Sequence, residues 1–527
     1  MRRRRPARGA ALCCLLLALT AGAASGAAAL TVGPRGHLSA GRSGGHLTVV
    51  TVQAGGSWVG MDPFAPALAP GTAALFPVYD ALFNVDPVTN AIRTNALATG
   101  YRIGDGGRTI TISLRRNVKF QDGTPFDAQA VVWNLERSMS PAVASQCEPD
   151  LQVVSKVVAS GPYQVALHLS SRDAGLLALL ATQPCALMVS PTAYLSEGAN
   201  FAEDPVGTGP FAYAGGLPGT VADFTRFDGY WGGRPKLGEI TVEAVESDGA
   251  AYATLHSGAA QAWLSSADTA AAPDILEARH DPALVVTSGR APSITHVDFA
   301  FTHSPFDNPV VRQVVTAATD AKTIDLTLYH NLFRPIEGVF PPSSWAYSGG
   351  TEKNYPAYDP RQVASLLAKL GSVSFTMLVA DTPAQLQLAE ALQAQWQSVG
   401  IDAQISPVAP SVLLSDLHTL NYQAALTTSP ALPDPDDMVY PWFYSSSPFT
   451  ENGMNSPAVD QYIRTGRADY GSSARRASYL KLNSLLSGLA PWDDIAAMSP
   501  YNIVAKAVKG IPVDPYSRFP WQSISLG

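Results

Sequence analysis

The stretch SFTMLVADTPAQLQLAEALQAQWQSVGIDAQI, residues 374–405, decides the fold class. Ser374 to Val379 alternates apolar and polar residues as a strand does. Thr382-Pro383-Ala384-Gln385 has the form of a capping box with proline at the first helical position. Leu388, Leu392, Trp396 and Val399 then fall on one helical face, Gly400 ends the helix, and Ile401 to Ile405 resumes a strand. A strand–helix–strand unit of this kind predicts an α/β lobe with a mostly parallel sheet.

Working outward, the same punctuation continues. Tyr101 to Leu114 reads as a half-buried strand with a turn at Asp105-Gly106-Gly107. Asp122-Gly123-Thr124-Pro125 is a second turn, and Asp127 is placed to cap a helix whose stripe is Val131, Val132 and Leu135. His46 to Val52 is strand-like and breaks at Gly55-Gly56-Ser57. The chain has 527 residues, 46% hydrophobic and 15% charged, with nine Trp. Single cores rarely grow past about 250–300 residues, so two or three are expected. The formal charge of −8 argues against nucleic acid as a partner.

The first residues do not belong to the fold. Arg2 to Arg5 and Arg8 precede the apolar run Gly9–Leu19 and the small residues Ala21-Gly22-Ala23, the pattern of a secretory signal peptide over residues 1–26. Residues 27–45, rich in Ala, Gly and Ser, read as a flexible leader. Losing the signal's five Arg leaves a distinctly acidic mature chain that is soluble, since no later segment has the roughly 18 consecutive apolar residues of a membrane span. Cys13 and Cys14 lie in the wrong context for a lipoprotein anchor and leave with the signal. That leaves Cys147 and Cys185 in an oxidising compartment, where an even pair is expected to form a disulfide; two buried free thiols are the alternative.

A series of motifs in chain order resembles extracellular solute-binding protein family 5, the oligopeptide, dipeptide and nickel binders of ABC importers. They are Val78-Tyr79-Asp80-Ala81-Leu82-Phe83, Val118 to Phe126, Val206-Gly207-Thr208-Gly209-Pro210-Phe211 and Gly229-Tyr230-Trp231-Gly232-Gly233. Val311-Arg312-Gln313 with Asp320, Ala389 to Gln393 with Gly400-Ile401, and Pro433-Asp434-Pro435-Asp436 complete the run. Each has an ordinary reading as well. The glycines suit tight turns, Tyr230 and Trp231 suit packing, and Asp320 suits a helix cap.

The resemblance implies a type II periplasmic-binding-protein fold: two lobes joined by a hinge, with an inserted α+β subdomain. Lobe I would be discontinuous, from about 46–78, 205–290 and 498–527, with the insertion at 79–204 and lobe II at 291–497. The function implied is capture of a small solute between the lobes and delivery to an ABC permease, by a monomer at the periplasm or outer face of the envelope. Ligand-binding candidates by the same analogy are Ser57, Trp58 and Val59 after the first strand, Gln146 on the insertion, and Thr427, Thr428, Ser429 and Ala431 before Pro433.

One departure matters. Peptide binders of the family hold the peptide's ammonium with an Asp four residues before the Pro that aligns with Pro435, and here that position is Ala431. A charge-assisted hydrogen bond contributes about 1.5–3 kcal/mol, so a generic free-amine peptide is disfavoured unless Asp434, Asp436 or Asp437 substitutes. The main expectation is a peptide or peptide-like solute. Alternatives are an oligosaccharide or metal chelate, or a secreted sensor uncoupled from transport. No cofactor or metal site is expected, since His256, His280, His296 and His303 lack ligand spacing. A hydrolase is disfavoured for want of a Gly-x-Ser-x-Gly elbow or a His-Glu-x-x-His motif.

Overall fold

The computed structural model describes residues 44–527 apart from 54–59, 65–71, 146, 266–271, 350–351, 431, 448–451 and 517. The first strand, β1 (His46–Val52), buries Leu47 and Val49 on one face and Val50 on the other, as a central strand must. The chain then builds a separate antiparallel sheet from β2 (Ala98–Gly104), β3 (Thr109–Leu114), β4 (Val154–Gly161) and β5 (Gln164–Leu169), in the order β2-β3-β5-β4. The β2–β3 hairpin turns on Asp105–Gly107, all three residues with positive φ. The helix α1 (Ala128–Ser138) starts where expected: the Asp127 carboxylate accepts from the Ala130 N–H, and Val131 and Leu135 are buried. It packs against β4, and the apolar helix α2 (Leu176–Thr182) follows.

Five further strands are β6 (Phe211–Leu217), β7 (Val221–Arg226), β8 (Glu239–Val245), β9 (Ala262–Ser265) and β10 (Leu284–Ser288). The chain next enters a second sheet with β11 (Ser293–Phe299), covered by α3 (Pro309–Ala317) and α4 (Ala321–Leu328), the latter capped by Asp320. The unit that decided the fold class follows as β12 (Val373–Ala380), α5 (Pro383–Ser398) and β13 (Ile401–Val408). Leu388, Leu392 and Trp396 are buried as the stripe predicts, but Thr382 makes no side-chain cap bond, so Pro383 alone marks the start. After β14 (Ala424–Thr428) come α6 (Pro435–Phe443), α7 (Pro457–Ala468) and α8 (Ser472–Leu489), then β15 (Trp492–Met498) and β16 (Tyr501–Ala505).

The first sheet has the order β10-β16-β9-β1-β8-β7-β6 and the second β13-β12-β14-β11-β15. Neither is mostly parallel, which corrects the expectation. β12 runs parallel to β13 and β14, but β11 is antiparallel to β14 and β15; in the first sheet only the two pairings of β1 are parallel. One reason is that β6, β7 and β8 follow one another and fold back without a helix between them; the other is the two passages between sheets, at 289–292 and 499–500. Each delivers a strand into its new sheet without a covering crossover helix, and parallel pairing needs one. Packing is continuous beside these passages: the Tyr501 hydroxyl donates to the Leu332 carbonyl, and its ring meets Phe333.

The family-like motifs converge in space. Asp80 accepts from Trp231 Nε1 at 2.8 Å, Thr208 Oγ1 at 3.1 Å and the Tyr230 hydroxyl at 3.1 Å. Beside it the Gln121 amide donates to the carbonyls of Val78, Gly209 and Phe211 and accepts from the Gly207 N–H. Any Cβ at Gly207 or Gly209 would lie 2.3–2.6 Å from the Val78 carbonyl oxygen, so only glycine permits this approach. The fifth motif is equally structural. Arg312 and Gln313 donate to the Leu489 and Gly488 carbonyls, tying α3 to the end of α8.

Candidate functional site

Small solutes of α/β proteins sit beyond the carboxyl ends of parallel strands. In the second sheet those ends are Ala380, Val408 and Thr428. Thr427 and Thr428 are half-buried, opposite His296 and Thr295, and the Thr428 hydroxyl lies 3.0 Å from that of Thr295. Ser429 is buried. Its N–H donates to the Ile294 carbonyl and its Oγ accepts from the Ile294 N–H at 2.8 Å, so it extends the ladder and has only its hydroxyl proton left to offer a solute. In the first sheet, β1 and β9 end at Val52 and Ser265. The candidates Ser57, Trp58, Val59, Gln146 and Ala431 lie outside the described residues.

The floor behind Thr427 is aromatic. His296 stacks on Trp492 with centroids 3.8 Å apart and meets Trp442 edge-on. Its Nδ1 donates to the Ile294 carbonyl, and burial pushes its pKa down to about 3, so the ring is neutral. The other candidate histidines bind locally: His256 to Asp281, His280 to the Leu276 carbonyl, His303 to Thr302. Among the described residues no group of three His, Cys, Asp or Glu side chains could hold a metal. Cys147 is disulfide-bonded; the side chain of its expected partner, Cys185, is outside the described residues.

A second contact joins the small antiparallel sheet to α6–α8. The Arg467 guanidinium bridges Asp173 and Asp436, and the Ala174 N–H donates to the Arg467 carbonyl. The Tyr470 hydroxyl shares its proton between the Gly107 and Asp173 carbonyls. Arg475 makes a bidentate pair with Asp434, both bonds 2.8 Å. Burial raises the pKa of Asp173 and Asp150 to about 6 against the pull of Arg467. Asp434 and Asp437 are raised by the same cause, Asp437 strongly, with Asp434 and Asp436 adding to it.

These contacts answer whether another carboxylate could replace the missing ammonium anchor. Asp434 caps α6 and pairs with Arg475, while Asp436 is held by Arg467 and the Tyr479 hydroxyl. Asp437 has one buried oxygen without a partner, but it lines a void of only about 10 Å³. None of the three is free for a solute. Sequence reasoning named Asp434, Asp436 and Asp437 as possible substitutes and missed the cluster, in which Asp173 and Arg467 alone lie 294 residues apart. Next to the cluster a cavity of about 590 Å³ opens between Tyr101, Ile103 and Leu177 on one side and Trp345, Tyr470 and Arg476 on the other.

The model of the bacterial extracellular solute-binding proteins, family 5 (middle region), matches residues 94–450. This chain belongs to that family. The glutathione-binding protein GsiB of Escherichia coli O6:K15:H31 (strain 536) is 31% identical over 364 residues, 68% of this chain and 69% of that one. The GsiB protein of Salmonella paratyphi A matches equally, 31% over 364 residues, with the same 68% and 69% coverage. Among solved structures, the dipeptide-binding protein of Pseudoalteromonas sp. SM9913 with Met-Leu superposes with a TM-score of 0.79 at 21% identity, covering 92% of this chain and 100% of that one. The oligopeptide-binding protein AppA of Bacillus subtilis with a nonapeptide gives 0.79 at 19%, with coverage of 92% and 100%. The binding protein AgaA of A. tumefaciens R10 with agropinic acid gives 0.79 at 21%, with coverage of 92% and 99%. The fold is therefore the two-lobed type II arrangement. No described helix of this family member is long and apolar enough to cross a membrane.

Proposed function

We propose that this chain is the exported solute-capturing component of an ABC importer, which closes two lobes on a peptide or peptide-like molecule and presents it to a membrane permease. The observation that carries the reading is the double passage between two sheets in a member of a solute-binding family. Lobe I is read as 46–78, 205–290 and 498–527 with the insertion 79–204, and lobe II as 291–497. The passages at 289–292 and 499–500 then serve as the hinge. A micromolar solute supplies about 8 kcal/mol, which covers the cost of closure and leaves measurable affinity. The chemistry is binding alone, with no bond made or broken.

The cleft candidates are Ser57, Trp58, Val59, Gln146, Thr427, Thr428, Ser429 and Ala431. With alanine at 431 and Asp434 and Asp436 already engaged, the solute's α-amine has no carboxylate partner among the described residues of this loop. That favours a peptide whose amine is blocked, cyclised or unused over a generic free-amine peptide. GsiB relatives are named for glutathione, which makes glutathione the first solute to try.

The test is native mass spectrometry of the exported protein, followed by calorimetry with glutathione, dipeptides and N-acetylated dipeptides. Saturable binding of one class with no chemical change in the solute is expected. Turnover of the solute, or failure to bind any peptide-like compound, sinks the reading.

A further inference from the structure

The contact between the small sheet and α6–α8 has an unusual charge balance. Asp150 and Asp173 come from one side; Asp434, Asp436, Asp437, Arg467 and Arg475 come from the other. Were every group ionised, five carboxylates would face two guanidinium groups, and four of those carboxylates line, with Arg467 as the one guanidinium, a void of about 10 Å³. A void of that size holds about one water and no hydrated counter-ion. The other polar groups facing the cluster are the hydroxyls of Tyr440, Tyr470 and Tyr479 and the Arg172 side chain, and they cannot cancel the excess.

One carboxylate oxygen, Asp437 Oδ2, is buried with no partner. Arg467, the cation that acts on both Asp150 and Asp173, belongs to the α6–α8 side, so parting the two surfaces would strip them of it and return them to water.

We propose that this contact is a proton-dependent latch, closing with uptake of protons by Asp150, Asp173 and their neighbours, so that the closed cleft is favoured in mildly acidic surroundings and loosened as the pH rises. The inference rests on the reading of the chain as a closing solute binder. The direction follows from linkage. Carboxyls whose pKa is raised in the closed contact stabilise it fully below their ordinary value and lose that contribution as pH rises through the raised one. For Asp150 and Asp173 that window runs from about 4 to about 7, since both titrate near 6 when closed. One carboxyl moved from 3.8 to about 6 weakens closure about tenfold between pH 5 and pH 8, and two together weaken it more.

The test uses the whole mature chain without solute, followed by small-angle X-ray scattering from pH 5 to pH 8. The radius of gyration should grow with pH in the wild type. In the Asp150→Asn, Asp173→Asn double variant it should stay at the compact value throughout. The single variant Asp173→Asn serves if the double one folds poorly, because an Asn Oδ1 still accepts from the Gly175 and Leu176 N–H groups as Asp173 does. Its growth should fall to about half or less of the wild type's. A wild-type radius that ignores pH overturns the latch, and so does a variant that keeps the full dependence. Either result leaves peptide binding by calorimetry untouched, so the latch and the importer reading fail separately.

Discussion

Asp80 gives the sharpest test of the motif knot. It collects the indole N–H of Trp231 and the hydroxyls of Thr208 and Tyr230. Replacing it with alanine leaves these donors facing a vacancy. A buried donor left unpaired costs about 1–3 kcal/mol, but hydroxyls can rotate toward carbonyls and some water can enter. A total loss of about 2–5 kcal/mol at pH 7 is therefore expected for Asp80→Ala, and about 1–3 kcal/mol for Asp80→Asn, which keeps one acceptor oxygen. The pH dependence separates this account from simple loss of packing. Burial raises the Asp80 pKa from 3.8 to about 6, with the three donors pulling the other way. A raised carboxyl stabilises the native state below its ordinary value and loses that contribution as pH rises through about 6, so the wild type should gain about 1 kcal/mol on Asp80→Asn between pH 7.5 and pH 5. Urea unfolding followed by tryptophan fluorescence reads both, because Trp231 sits at the knot under the Arg115 guanidinium. A loss under about 0.5 kcal/mol for Asp80→Ala, a surface-like value, would refute the reasoning. So would a pH-independent gap between Asp80→Asn and the wild type.

Gly209→Ala should lose at least about 2 kcal/mol in the same assay, since its Cβ would sit 2.5 Å from the Val78 carbonyl carbon; an unchanged midpoint would show that the turn yields. Reduction with dithiothreitol should cost about 2–4 kcal/mol, and a peptide map of the oxidised protein should recover Cys147 joined to Cys185; two free thiols in the map would end that pairing. His296 should stay neutral in nitrogen-15 spectra down to about pH 4 with its proton on Nδ1. Because its pKa is depressed to about 3, it stabilises the fold above its ordinary value of 6.5 and costs stability as pH falls below that, so titration near 6.5 would contradict its burial.

What could be read from the sequence follows from the range of each signal. Residues 374–405 were legible because strand alternation and a helical stripe are local patterns, and β12–α5–β13 formed as read. The knot was legible as motifs, because its chemistry admits few substitutes: glycine where Val78 approaches, an acceptor at Asp80. That the motifs meet was not legible, since nothing at Gln121 announces a partner 90 residues on at Phe211. Pairing direction failed for the same reason. β11 and β15 are buried along their whole length, and a strand's own residues do not report the direction of its neighbours, so nothing announced the antiparallel pairings that make the sheet mixed. The acidic contact was invisible because Asp173 and Asp436 lie far apart in the sequence, and only Arg467 brings them together.

The division between scaffold and solute follows from the same geometry. Proteins solved with a dipeptide, a nonapeptide and agropinic acid all superpose on this chain with a TM-score of 0.79, so the shared fold alone does not choose the solute. On the proposed reading, the choice falls to residues beyond the carboxyl ends of β1, β9 and β14, the positions where α/β proteins generally take their solutes. In the loop after β14 the described acidic side chains already have work elsewhere: Asp434 holds Arg475 and the start of α6, Asp436 holds Arg467 and Tyr479. A carboxylate tied to a guanidinium cannot also anchor an ammonium without breaking a buried pair, which costs about 3–5 kcal/mol, more than the 1.5–3 kcal/mol or so that the new bond returns. Recognition from this side of the cleft would, on that reading, run through neutral hydroxyl and backbone groups such as those of Thr427 and Thr428. On the proposed reading, an N-acetylated dipeptide should bind at least as tightly as its free-amine parent. A free amine that improved affinity tenfold would require a carboxylate from another wall of the cleft.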